Sequence, residues 1–157
     1  MRGVAIHLVA VAMLAACGGH EDAGPTELPP GEIEWTSLVP STFRAAYPEP
    51  AKLVIRDPVA YAKLWNTVAA EMAPIPAPPA VAFSSEMVLA ICLGPGPSGR
   101  AVGLRSVERL GDEIVVTYGV REGKAGGPET RSGPCAIVSV PRTDLPVTWR
   151  REGEEPK

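Results

Sequence analysis

Two hydrophobic periods alternate along the chain, and the switch between them divides it into one helix and a series of strands. Lys52–Arg56 (KLVIR) predicts a short strand. Asp57 followed by Pro58 predicts a helix start. An Asp side chain accepts a bond from an otherwise unpaired N–H of the first turn, and a first-turn Pro lacks only an N–H that would have no partner. Tyr61, Leu64, Trp65, Val68 and Met72 then fall on one helical stripe. Pro74, Pro76, Pro78 and Pro79 stop it.

Beyond the prolines the period changes. Met87–Leu93 (MVLAICL) is an unbroken apolar run of strand length, which predicts burial on both faces. Gly94–Gly99 predicts a turn. Val102–Leu110 alternates imperfectly, with Val102, Leu104 and Val107 apolar and Arg105 and Arg109 between and beyond them. Gly111-Asp112 is a tight-turn signal, and Glu113–Val120 is the next strand. Arg121–Ser132 is a Gly-rich excursion. Ala136–Val140 and Val147–Arg150 are the last two strands. Upstream, Glu32–Leu38 reads as a weak first strand and Pro40–Pro50 as a loop. One helix followed by hairpin-linked strands, without crossover helices, predicts an α+β domain. Its sheet is mainly antiparallel and sandwich-like, with one amphipathic helix packed on it.

The N-terminal pattern is different. Arg2 precedes an apolar run, Val4–Ala16, interrupted only by His7. That run is shorter than the about 20 residues needed to span a bilayer and fits a signal-peptide core. It ends in Leu14-Ala15-Ala16-Cys17, which resembles the lipobox of bacterial lipoproteins. The resemblance implies cleavage before Cys17 and attachment of diacylglycerol to its thiol. Gly18, in place of Asp, resembles the sorting pattern for the outer membrane. The expected organisation is a signal peptide over residues 1–16, a lipidated flexible tether over 17–31, a folded domain over 32–150 and a charged, disordered tail over 151–157.

Composition narrows the partners. The 157 residues carry a net charge of −3, and removal of Arg2 leaves 14 basic against 18 acidic side chains. Nucleic-acid binding, which needs clustered Lys and Arg, is not expected. Gly and Pro are abundant (16 and 18), which disfavours long helices. The domain of about 120 residues is large enough to bury a core. The expected membrane contact is the lipid anchor.

Candidate chemistry is sparse. The only histidines are His7 and His20, both outside the expected domain. No nucleophile–histidine pair or His-containing zinc site is therefore available within it. Lys52, Lys63 and Lys124 lack the Ser-x-x-Lys spacing of a serine–lysine nucleophile. Glu71, Glu86, Glu108, Asp112, Glu113, Glu122, Glu129 and Asp144 fall mostly in turns or at strand ends and read as solvated charge; Asp57 reads as a cap. Gly94-Pro95-Gly96-Pro97-Ser98-Gly99-Arg100-Ala101 has phosphate-loop glycine spacing, but Arg100-Ala101 replaces the Lys-Ser/Thr pair and two prolines remove N–H donors. Pro95, Gly96, Pro97, Ser98, Gly99 and Arg100 are instead candidates for a partner-binding turn. Arg121–Arg131 reads as a solvated hairpin loop, or as an arm that orders on a partner. Cys92 and Cys135 read either as a structural disulfide, suited to an oxidising compartment, or as two separate buried thiols. No cofactor or metal is expected.

From Asp57 onward the order of features resembles the PrcB C-terminal-like family of bacterial envelope proteins, many of them lipoproteins. The carrying residues are Leu64-Trp65, Phe83-Ser84-Ser85-Glu86-Met87-Val88-Leu89-Ala90, Leu93-Gly94, Val107-Glu108 and Gly111-Asp112-Glu113-Ile114-Val115-Val116. Gly133-Pro134, Ile137-Val138-Ser139-Val140-Pro141 and Pro146-Val147 complete the series. Two positions depart from it. Ala82 stands where the family has Asp, and Ser98-Gly99-Arg100-Ala101-Val102 stands where it has a Gly-Gly-Tyr turn. The resemblance implies an accessory role, binding or stabilising an envelope protein or protease complex, and no catalysis. The residues leave room for two other readings, a loop-presenting protease inhibitor and a two-carboxylate hydrolase. The inhibitor reading requires the Gly94–Gly99 and Arg121–Ser132 loops to meet at one end of the sheet.

Overall fold

Among the described residues, two main β-sheets face each other, and the one helix covers the outer face of one of them. The computed structural model describes residues 27–123 and 127–154. In chain order the strands are β1 (Gly31–Glu32), β2 (Thr36–Ser37), β3 (Arg44–Ala45) and β4 (Ala51–Ile55). Helix α1 (Pro58–Val68) follows. Then come β5 (Glu86–Cys92), β6 (Gly96–Pro97), β7 (Ala101–Leu110), β8 (Glu113–Arg121), β9 (Glu129–Thr130), β10 (Gly133–Pro141) and β11 (Val147–Arg151). One sheet runs β2-β10-β5-β4, with β3 also on β10. The other runs β1-β7-β8-β11, and β6 and β9 form a separate ribbon.

The central sheet explains the unbroken apolar run. Val88, Ala90 and Cys92 of β5 belong to the core shared with the helix, whereas Met87, Leu89 and Ile91 belong to the core shared with the second sheet. A strand with both faces covered has no solvent side to mark with polar residues. β10 repeats the arrangement, with Ile137 on the helix side and Val138 and Val140 between the sheets.

Asp57 caps α1 through a 2.8 Å bond accepted from the Ala60 N–H. Tyr61, Leu64, Trp65 and Val68 are its buried stripe. The helix ends at Val68, so Met72 packs on the core from the turn beyond. The proline segment then doubles back along the helix. Trp65 Nε1 donates to the Pro76 carbonyl (2.7 Å) and the Tyr61 hydroxyl to that of Pro79 (3.2 Å). An α1 extended through Met72 would carry the chain away from those acceptors.

Several sequence expectations are corrected. The Glu32–Leu38 segment is no single strand: β1 pairs with β7 and β2 with β10, so the chain crosses between sheets there. The Pro40–Pro50 loop contains β3. Leu28, assigned to the tether, is buried, and Gly31 pairs with Arg109, so the fold begins before residue 32. Arg151, assigned to the tail, closes β11. β11 also runs parallel to β8, Val147 opposite Ile114 through Arg151 opposite Tyr118, within otherwise antiparallel sheets. The crossover that allows this is not a helix. β10, in the opposite sheet, lies between β8 and β11 in the chain. The signal peptide, Cys17 and most of the expected tether lie outside the described residues. Among those described, no helix is long and apolar enough to cross a membrane.

Candidate functional site

The loops flagged as partner-binding lie at the same end of the sandwich and pair with each other. Gly96 stands opposite Thr130 and Pro97 opposite Glu129, so the Gly94–Gly99 turn and the Arg121–Ser132 excursion form one antiparallel ribbon. Ser98 N donates to the Pro128 carbonyl (3.0 Å). A Cβ on Gly123 would collide with the Ser98 carbonyl and lie 3.0 Å from Pro97 Cβ. The spacing between the loops thus depends on the absence of a side chain at Gly123. Residues 124–126 of the excursion lie outside the described residues.

Side chains fasten the ribbon to the body. Thr130 Oγ1 lies 3.0 Å from the Gly96 carbonyl and 2.8 Å from that of Ser132. Arg44 Nη2 donates both to Thr130 Oγ1 and to the Ser132 carbonyl, each at 2.8 Å. Below them the backbone of β10 packs directly on the turn, since a Cβ on Gly133 would overlap the Gly94 carbonyl. Gly94 itself has φ +65°, a conformation Gly adopts without steric cost.

Arg100 is turned inward rather than presented. Its Nη1 donates to the Pro95 carbonyl (3.3 Å), and its Nε lies 3.8 Å from Glu122 Oε2. Glu122 Oε1 in turn accepts from Arg151 Nη2 (2.7 Å). Arg100 therefore braces its own turn. Among the described residues, the exposed ones of the ribbon are Pro95, Gly99, Arg121, Glu122, Pro128, Glu129 and Arg131.

Cys92 and Cys135 stand directly opposite each other on β5 and β10, with Cα atoms 4.2 Å apart, and are joined as a disulfide. The bridge closes the roots of both loops, because Gly94–Gly99 leaves the end of β5 and Arg121–Ser132 enters the start of β10.

The other flagged groups do not converge. Glu113 accepts from the Thr148 hydroxyl (2.6 Å), Glu108 from Ser106 (2.7 Å) and Glu86 from the Ala82 N–H (2.9 Å). Lys52 lies over the Tyr118 ring, 4.8 Å from its centroid. A cleft of about 320 Å³ at the opposite end is lined by two acids, Glu27 and Asp144, together with Arg109. Both acids are exposed, and Arg109 is engaged by the carbonyls of Leu28 and Gly111. Among the described residues, no group of three or more His, Cys, Asp or Glu side chains could hold a metal ion.

Sequence reasoning passed over two features. One is Arg44, whose role depends on contacts with residues more than eighty positions away. The other is a cleft of about 650 Å³ between the sheets, walled by Leu38 and Val39 on one side and Val102–Arg105 on the other. Its one local signal was Trp35, a large ring left 37% exposed in a polar stretch.

No family model matches the chain, and neither the curated proteins nor the solved structures contain a match to it.

Proposed function

We propose that the protein is a lipid-anchored, non-catalytic binding module of the cell envelope, held at the outer membrane through Cys17, with the two-loop ribbon as its working surface. The observation that carries this reading is the strand-to-strand pairing of Gly96-Pro97 with Glu129-Thr130. Two loops from distant parts of the chain become one surface, braced by Arg44, Arg100 and the Cys92–Cys135 bridge. A binding site gains affinity when its loops are ordered before the partner arrives. The resemblance to protease-complex accessory proteins fits a partner that is an envelope protein or protease. The disulfide fits an oxidising compartment.

A second reading is a protease inhibitor that inserts the ribbon into a cleft. The meeting of both loops at one end favours it, as does the exposure of Pro95 and Gly99. A two-carboxylate hydrolase gains no comparable support.

Metabolic labelling with palmitate tests the anchor. Label is expected in the intact protein and absent from Cys17→Ser. Equal labelling of both proteins, or of neither, overturns the envelope assignment. Purified protein titrated into envelope proteases separates the two binding readings: the inhibitor reading requires stoichiometric loss of activity, and the accessory reading requires retained or increased activity.

A further inference from the structure

The chain between α1 and β5 carries a second surface, independent of both the ribbon and the lipid anchor. Pro74, Pro76, Pro78 and Pro79 fall within six consecutive residues, and Ile75 and Ala77 each precede a proline. A proline ring holds φ at about −65°, and a residue before proline is pushed out of the helical region into extended or polyproline II backbone. Every residue from Pro74 to Pro79 is under one constraint or the other.

Two hydrogen bonds decide between the two extended forms. Trp65 Nε1 donates to the Pro76 carbonyl and the Tyr61 hydroxyl to that of Pro79. Tyr61 and Trp65 stand about one turn apart on the buried stripe of α1. Two carbonyls three residues apart therefore face the same way. A β-strand, with its period of two, turns such a pair to opposite sides. Polyproline II repeats every three residues and turns them to the same side. The segment is thus a polyproline II ridge laid antiparallel along α1. Met72 before it and Val81 after it pack on the helix-side core and pin both ends.

The side turned away from α1 is apolar. Ile75 is 49% exposed, and Ala77, Pro78 and Ala80 are exposed as well. Among the described residues, the carbonyls of these four accept no hydrogen bond, unlike those of Pro76 and Pro79. Met72–Ser85 contains no Asp, Glu, Lys or Arg, in a chain of which 21% is charged. The ridge therefore offers a partner no ion pair. It offers proline ring faces, methyl groups and open carbonyls. Aromatic side chains match that set: their faces stack on proline rings, and an indole N–H or a phenol O–H donates to the carbonyls, as in the aromatic-lined grooves that read proline-rich segments. The ridge is already ordered, so binding costs little further conformational freedom.

We propose that Ile75–Ala80 is a docking ridge for a partner protein whose groove is lined by Trp or Tyr side chains. The groove packs against Ile75, Ala77 and Pro78 and donates to the open carbonyls. The six residues span roughly 19 Å at 3.1 Å per residue, so the groove ends short of Glu71, on the turn after α1.

Photo-crosslinking with peptide competition provides the test. The full chain, with a photoreactive amino acid in place of Ala80, is irradiated in an extract of the cells that make it. One protein should be captured. A synthetic peptide of residues 72–81, in hundredfold excess, should lower that capture at least tenfold, whereas the same peptide with Pro76, Pro78 and Pro79 changed to Ala should not. Alanine substitution of the Trp or Tyr nearest the crosslink in the captured protein should also lower it tenfold. Ala77→Asp, which adds a charge to an exposed position, should abolish capture while leaving the urea midpoint unchanged. No capture, competition by both peptides or by neither, or undiminished capture by Ala77→Asp or by the aromatic variants overturns the proposal.

Discussion

Gly133 of β10 lies against Gly94 so closely that any side chain at position 133 would overlap the Gly94 carbonyl. The contact joins the first ribbon loop to the central sheet backbone to backbone, next to the disulfide. Gly133→Ala is expected to lower stability by about 3 kcal/mol, the upper range for forcing a methyl group into a packed site. Gly103→Ala, where an added Cβ meets nothing within 4 Å, should change it by no more than about 0.5 kcal/mol. Urea unfolding of the two variants measures the difference.

The Cys92–Cys135 bridge spans 43 residues of chain and encloses β6, β7, β8 and β9. Closing a loop of that length removes freedom mainly from the unfolded state, by roughly 4 kcal/mol in the chain-entropy account. Reduction, or Cys92→Ala with Cys135→Ala, should lower the urea midpoint accordingly. The ribbon amides should exchange faster than those of α1, because the bridge sits at the ribbon's root. Equal loss of protection in both regions would contradict this.

Tyr61 gives a pH signature. Burial disfavours the charged phenolate and raises its pKa above the usual 10.0. The folded state then holds the proton more tightly than the unfolded chain. The stability contributed by this group is complete below about pH 10 and declines as pH rises through the raised value. Tyr61→Phe should lose about 1 kcal/mol at neutral pH with the bond to Pro79, and its stability should fall less steeply above pH 10. Denaturant melts of both proteins from pH 8 to 11 provide the check.

The sequence was most legible where one local signal determined one structural outcome. Asp57-Pro58 marked a helix start because capping involves only neighbouring residues. Met87–Leu93 announced a doubly buried strand because neither face could carry a polar residue. The 102, 104, 107 spacing of apolar positions even contained the β7 bulge: a step of three within a period of two needs one extra residue, and Arg105 is that residue. Pairing was less legible. The parallel placement of β11 follows from a chain that visits the other sheet between Arg121 and Val147, and no five-residue pattern encodes that path. The burial of Leu28 was hidden for the same reason, since its neighbours are polar and its packing partners are distant. The ribbon's two loops were each visible as Gly-rich breaks, but their pairing depended on long-range contacts through Arg44 and Gly133.

The central claim is that the ribbon grips a partner, and site-specific photo-crosslinking in native membranes tests it most directly. A photoreactive amino acid replaces Ser98, beside the ribbon's tip, or Glu71, on the turn after α1. The account predicts one envelope protein captured in stoichiometric amounts from position 98 and not from position 71. Recovery of the uncrosslinked protein alone from both positions, or equal capture from both, would contradict it.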